Sequence, residues 1–194
     1  MSLTSTGPAA PSSRHVPFRK VLIANRGEIA CRIIRTLREM GIAAVAVHHA
    51  VEARAQHVRL ADEAVELKGD TPVAAHLDIR QIVAAALATG ADAIHPGYGF
   101  LSENAGFARA VAEAGLVFVG PDAASIALMG DKISARNFAD QHGVPVAPSV
   151  MPTADLADFV RRAEAIGFPV LIKAAAGGGG KGMSIVRSAD ELEG

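Results

Sequence analysis

In Lys20-Val-Leu-Ile-Ala-Asn-Arg-Gly-Glu-Ile-Ala-Cys-Arg-Ile-Ile-Arg-Thr-Leu-Arg-Glu-Met-Gly41 an apolar run passes through Asn25-Arg-Gly27 into a helical repeat. Lys20 to Ala24 has the branched, apolar character of a buried strand, and Ile29, Ile33, Ile34 and Leu37 fall at helical spacing. Gly41 reads as a left-handed helix cap, and Ala43 to Val47 as a second strand. Strand, helix and strand within about thirty residues predict a right-handed parallel unit. A dinucleotide site would need Gly-x-Gly-x-x-Gly after the first strand. Asn25-Arg-Gly-Glu-Ile-Ala30 offers one glycine, with a glutamate at the helix start, which excludes the NAD reading.

The alternation continues outward from this unit. A short helix is predicted near Gln56 to Ala61, a strand at Ala64 to Leu67, a helix over Asp78 to Thr89 and a strand at Asp92 to Ile94. A helix over Ala105 to Ala114, a fifth strand at Leu116 to Val119 and a short helix capped by Asp122 and running through Met129 complete an α/β, Rossmann-like, doubly wound parallel sheet. The fourth strand empties into His95-Pro-Gly-Tyr-Gly-Phe-Leu-Ser-Glu-Asn104. Loops at the carboxyl ends of parallel strands are where such folds place ligands. Tyr98 is the chain's only tyrosine. The loop reads either as a ligand loop or as a tight turn whose Tyr and Phe plug a domain seam. Glu103 serves a site or sits in the first turn of the following helix, where its charge favours the dipole.

Further on, Asp131 reads as an N-cap and Lys132 as a first-turn lysine, which opposes the helix dipole and asks for an anionic partner unless it is merely exposed. Gly143 closes that helix, Val144-Pro-Val-Ala-Pro148 is an extended connector, and Asp155 to Ile166 is helical. Then comes Pro169-Val-Leu-Ile-Lys-Ala-Ala-Ala-Gly-Gly-Gly-Gly-Lys-Gly-Met183, the layout of a phosphate-covering hairpin. Val170 to Ile172 and Met183 to Val186 are its strands, and Gly177 to Gly182 the connection. Consecutive glycines suit a loop that exposes N–H groups, and Lys173 and Lys181 add positive charge for phosphoryl oxygens. A flexible hairpin tip with two surface lysines is the alternative. A Walker A loop is excluded, since no Gly-x-x-x-x-Gly-Lys-Ser/Thr occurs. Ser188-Ala-Asp-Glu191 has the form of a capping box, predicting one more helix. An uncovered hairpin and a helix cut off three residues later suggest a domain sliced through.

Of 194 residues, 50% are hydrophobic and 20% charged, enough for one solid core and the start of another. A formal net charge of −1, without a basic cluster interleaved with aromatics, argues against a nucleic-acid platform. No run approaches a membrane span, and Met1 to Pro17 lacks the apolar core of a secretory signal, so a cytoplasmic protein is expected. Those first residues read as a disordered leader, with an organellar transit peptide as the alternative. Cys31, the lone cysteine, is expected to pack within a helix.

Ala24-Asn-Arg-Gly-Glu-Ile-Ala30, the His95 to Asn104 motif, Met129-Gly-Asp-Lys132 and Ile172-Lys-Ala-x-x-Gly-Gly-Gly-Gly-Lys-Gly-Met183 occur in that order. Together they resemble the biotin carboxylase family from about Phe18 to the end. With the disordered leader at 1–17 outside it, the resemblance implies a pre-ATP-grasp domain at 18–130, a connector helix and linker at 131–148 and the start of an ATP-grasp domain at 149–194. It implies activation of bicarbonate by ATP and Mg2+ (or Mn2+) to carboxyphosphate, then carboxylation of N1 of biotin on a carrier domain. By the same resemblance Lys132, Lys173 and Gly177, Gly178, Gly179, Gly180, Lys181, Gly182 and Met183 bind ATP, Gly179 and Gly180 through backbone N–H groups. Tyr98 lies near the biotin ring, and Arg32, Arg35 and Glu39 fall at a dimer interface. The implied partners are a biotin carboxyl carrier protein, a carboxyltransferase subunit and a second copy in a homo-oligomer, with no nucleic acid and no membrane.

The chain departs from the family's pattern in places. His48-His-Ala-Val-Glu-Ala53 stands where an aspartate is usual soon after the second strand, His76 where a tyrosine is common, and Pro148-Ser149 where Pro-Gly is common. Met129-Gly-Asp-Lys132 leans toward acyl-CoA (acetyl- or propionyl-CoA) carboxylases over pyruvate carboxylases. By resemblance the magnesium-binding glutamates, the catalytic base and the arginine that steadies biotin lie beyond Gly194, so no catalytic or metal residue is expected in these 194 residues and the piece alone is expected to be inactive. The rival readings are a non-catalytic nucleotide-binding or assembly module, and a pyruvate or urea carboxylase or other ATP-grasp ligase.

Overall fold

The computed structural model describes residues 18–151, 153–173 and 182–192. The chain divides into two compact units between Ala127 and Leu128. In the first, β1 (Lys20–Ile23), α1 (Gly27–Glu39), β2 (Ala43–His49), a 3-10 turn (Ala50–Glu52), α2 (Gln56–Leu60) and β3 (Glu63–Leu67) come first. There follow α3 (Pro72–His76), α4 (Ile79–Thr89), β4 (Ala93–His95), α5 (Ala105–Glu113), β5 (Val117–Phe118) and α6 (Ala123–Gly130), which runs across the boundary. The five strands form one sheet in the order β3-β2-β1-β4-β5, every pair parallel.

β1 shows why the alternation was readable. Successive side chains of a strand point to opposite faces, and here both faces are covered. Val21 and Ile23 pack with Ala30, Ile34 and Leu37 of α1, while Leu22 packs with Val45, Ile82, Ile94 and Phe107 on the other side. Cys31 is buried in α1, as expected. Gly41, at φ 72°, takes the left-handed conformation that ends α1. Asp92 ties the amino edge of the sheet, its carboxylate accepting from the N–H groups of Arg19 (2.7 Å) and Lys20 (3.0 Å). The element that sequence periodicity passed over is α3. Its five residues are too few for a helical repeat, yet Thr71 Oγ1 accepts from the Ala74 N–H (3.1 Å) and Pro72 opens the first turn.

In the second unit α7 (Lys132–Gln141) and α8 (Leu156–Glu164) precede the antiparallel pair β6 (Val170–Lys173) and β7 (Met183–Val186). Asp131 caps α7 by accepting from the Ser134 N–H (2.7 Å), and Asp155 caps α8 by accepting from the Ala157 N–H (3.0 Å). The helix expected from Ser188 does not form among the described residues; 190–192 are a turn. Glu191 accepts from the Arg187 N–H (2.8 Å), one residue ahead of the supposed cap, so the reciprocal pair of a capping box is not made.

Candidate functional site

The strand order reverses at the β1/β4 pair, so the segments that leave the carboxyl ends of these two strands flank the crevice where open parallel sheets bind ligands. Those segments are Asn25-Arg-Gly27 and Pro96 to Asn104. Asn25 joins them. Fully buried, its Nδ2 donates to the carbonyls of Pro96 (2.8 Å) and Tyr98 (2.9 Å), while its Oδ1 accepts from the Arg26 N–H (2.9 Å). Gly97 lies so close that a Cβ there would stand 2.7 Å from both Asn25 Nδ2 and Ile29 Cγ2, and its φ is 66°. His95 Nδ1 accepts from the Gly97 N–H (3.0 Å), and burial pushes the imidazole's pKa down.

Beyond Gly97 the loop divides its aromatics between water and protein. Tyr98 is 57% exposed and its hydroxyl donates to the Glu28 carboxylate, a contact that raises the phenol's pKa. Phe100 is half-buried at φ 44°, its ring centroid 5.3 Å from that of His76 and 5.4 Å from the Arg26 guanidinium carbon. Leu101 is buried and Asn104 caps α5 by accepting from the Phe107 N–H (2.9 Å). Glu103 therefore precedes the cap and is not a first-turn acid of α5. A groove of about 550 Å³ opens beside the loop, with Arg32, Ile33, His95 and Tyr98 in its lining.

Under the loop lies a cluster that the sequence reading did not assemble. Glu52 holds three donors: Arg26 Nη1 (2.6 Å), His76 Nε2 (3.0 Å) and the His49 N–H (3.0 Å). Burial pushes its carboxyl upward, but the bonds from Arg26, His49 and His76 outweigh that and hold its pKa at about 2. His76 is wholly buried, and so is His57, whose Nε2 faces the Val47 carbonyl at 3.3 Å. Burial lowers both imidazoles' pKa values, and the Nδ1 atoms of both have no hydrogen-bond partner. The signal was present in the sequence as two separate departures, at 48–53 and at His76. In the fold these are one contact.

In the second unit Lys132 stands in the first turn of α7, behind the Asp131 cap, and Lys173 ends β6 directly across from Met183. All three side chains are exposed. Gly182 has a φ of 72°, while Gly177, Gly178, Gly179, Gly180 and Lys181 lie outside the described residues. Arg32, Arg35 and Glu39 are exposed along α1 at spacings of three and four residues, which places them on one helix face. Among the described residues no three His, Cys, Asp or Glu side chains gather to hold a metal, and no helix is long and apolar enough to cross a membrane.

Residues 17–126 match the family described as biotin carboxylase, N-terminal domain, and residues 131–194 match carbamoyl-phosphate synthase L chain, ATP binding domain. The chain is 51% identical to a biotin carboxylase of Nostoc sp. over 176 residues, which is 90% of this chain and 39% of the relative. It is 50% identical to the propionyl-CoA carboxylase alpha chain of Ruegeria pomeroyi over 169 residues, 87% of this chain and 25% of the relative. A crystal structure of the biotin carboxylase domain dimer of Hydrogenobacter thermophilus 2-oxoglutarate carboxylase, in complex with MgADP, ADP and bicarbonate, superposes with a TM-score of 0.81 at 49% identity, covering 91% of this chain and 39% of that one. The chain thus spans well under half the length of these relatives.

Proposed function

The chain belongs to the biotin carboxylase family, and from that premise we propose that it is the N-terminal part of an ATP-dependent biotin carboxylase of a cytoplasmic acyl-CoA carboxylase. The observation that carries this reading is the Asn25 junction. Two motifs seventy residues apart, each a mark of the family, are locked by side-chain hydrogen bonds into a single loop assembly at the switch point of the sheet. In the proposed division, 18–130 is the pre-ATP-grasp domain, 131–148 the connector helix and linker, and the chain from 149 onward the beginning of the ATP-grasp domain.

Within that scheme Lys132, Lys173 and the glycine loop from Gly177 to Met183 meet the phosphates of ATP. Phosphoryl transfer is mostly positioning and charge neutralisation, which lysine ammonium groups and backbone N–H groups supply without covalent chemistry. Magnesium would supply further charge neutralisation at the phosphates; among the described residues no carboxylate set gathers to hold it. Tyr98 presents an exposed ring for the carrier-bound biotin, and Arg32, Arg35 and Glu39 pair the subunit with a second copy. The biotin carrier and carboxyltransferase are the remaining partners. An acyl-CoA acceptor is supported by the Ruegeria relative, and the Hydrogenobacter relative makes the acceptor assay the discriminating one.

The test is calorimetry with Mg-ATP on these 194 residues and on the same chain extended through a whole ATP-grasp domain. The short chain is expected to bind weakly and to turn nothing over. Holding a run of glycines in one conformation costs roughly 1–2 kcal/mol per residue. The extended protein is expected to bind tightly and to carboxylate biotin when bicarbonate is supplied. Failure of the extended protein to carboxylate biotin would overturn the reading.

A further inference from the structure

Phe100 is a non-glycine residue at φ 44°, a backbone region that L side chains occupy only where surrounding contacts hold them there. The contacts are identifiable. Its ring lies against His76 and Arg26, and both of these are held by the one carboxylate of Glu52, itself fixed by the His49 N–H. Phe100 sits two residues past Tyr98, so whatever fixes Phe100 also fixes how Tyr98 is presented. We propose that Glu52, His76 and Arg26 are positioning residues that clamp Phe100 and so hold the Tyr98 loop, and that protonation of His76 releases the clamp.

The chemistry of the release lies in the two ring nitrogens. Nε2 faces the Glu52 carboxylate and so carries the proton of the neutral ring, which leaves Nδ1 as a bare acceptor. A second proton would have to enter at Nδ1, where no acceptor exists, inside a site with no access to water. A buried donor without a partner loses its hydration and gains nothing. Around the ring, Glu52 from the 3-10 turn favours the cation, while Arg26 ahead of α1 and His48 at the end of β2 oppose it. Arg26 already neutralises Glu52 at 2.6 Å, so the attraction is shared. His57 on α2 and His49, whose N–H holds Glu52, are the other imidazoles of the cluster; at the loop, His95 accepts from the Gly97 N–H and Glu28 is the carboxylate that meets Tyr98.

Burial depresses the clamped imidazole below its ordinary 6.5, against the pull of Glu52. A base depressed in the closed state binds fewer protons there than in the open state. Closure is therefore complete above about pH 6.5 and weakens as pH falls, by up to about tenfold in the closing constant per pH unit. The clamp itself is independent of the proposed reaction; that its release lowers carboxylation rests on that reading.

Amide hydrogen exchange on the chain between pH 7.5 and 5.5, corrected for intrinsic rates and containing no ATP or biotin, tests the clamp apart from the carboxylase proposal. Peptides covering residues 97–104 are expected to lose protection below pH 6.5 while β1 and β2 keep theirs. Emission from Tyr98, the only tyrosine in a chain without tryptophan, should follow the same curve. His76→Gln keeps a donor toward Glu52 but does not titrate, and is expected to flatten the profile; His76→Tyr should do the same. Phe100→Ala should leave the loop weakly protected at every pH. In the unmodified chain the His76 imidazole, followed by NMR, must titrate at the same midpoint as the loop. Separate midpoints, a flat wild-type profile, or an unchanged transition in His76→Gln would overturn the proposal and direct attention to His95 or His57.

Discussion

Gly97 shows how one residue makes two chain segments into a site. Its φ of 66° and the absence of a Cβ let the loop backbone come within hydrogen-bonding reach of Asn25. Gly97→Ala adds a left-handed strain of about 1–2 kcal/mol and drives a methyl against buried Asn25 and half-buried Ile29. It is expected to lower the denaturant midpoint of the first unit and to loosen the loop. Asn25→Ala attacks the same junction from the other side, leaving the Pro96 and Tyr98 carbonyls without their donor at a cost of about 1–3 kcal/mol for each group left buried. A double mutant that loses no more than the worse single one would show that both act through that junction. Glu52 adds an acid limit. Its carboxyl is depressed from 4.5 to about 2 in the fold, so the stability it contributes is complete above about pH 4.5 and is lost as pH falls toward 2. Glu52→Gln should remove that part of the acid transition in a pH-dependent unfolding series.

Elements differ in how much of themselves they show in sequence. The strands and long helices of the first unit were legible because each buries a face with a fixed period. Ile34 and Leu37 mark the inner side of α1, and β1 is apolar from Val21 to Ile23 because α1 covers one face and the α4–α5 side the other. Caps were legible where one side chain decides them, as at Asp122 and Asp131. The helix expected at Ser188 was not, because Glu191 accepts from the Arg187 N–H and so does not close the box at Ser188. The Glu52–His76 contact was hidden for another reason: it joins a 3-10 turn to a five-residue helix, and neither has a periodicity. In the second unit Lys173 ends β6 opposite Met183. Lys132 and Lys173 stand on separate elements, so their removal should be separable. In a protein carrying the whole ATP-grasp domain, Lys132→Ala or Lys173→Ala is expected to raise the carboxylation barrier by about 2–4 kcal/mol. The first unit should unfold as before, and unchanged kinetics would remove that lysine from the site.

At the scale of the whole molecule the two units have unequal means of holding themselves together. The first has a five-stranded parallel sheet with apolar clusters on both faces, Phe107, Leu22, Ile23 and Ile94 among the side chains it removes from water. Among the described residues of the second, the buried hydrophobic side chains are Val160, Ala163 and Val186, while Leu171, Ile172, Met183 and Ile185 of the hairpin stand 37–55% exposed. A two-stranded hairpin is marginal in water unless something covers it. Local opening should therefore cost little in β6 and β7 and close to the global free energy in β1, β2 and β4. Native-state hydrogen exchange at pH 7.5, where the His76 clamp is closed, should show the amides of 170–173 and 183–186 exchanging through openings well below the one that releases 20–23 and 43–49. Extending the chain through the rest of an ATP-grasp domain should bring protection to the hairpin without changing it in the first unit, because added strands cover the exposed apolar side chains of the second unit only. Equal protection in both units of the 194-residue chain would show that the hairpin is stabilised by contacts other than the burial of its own strands.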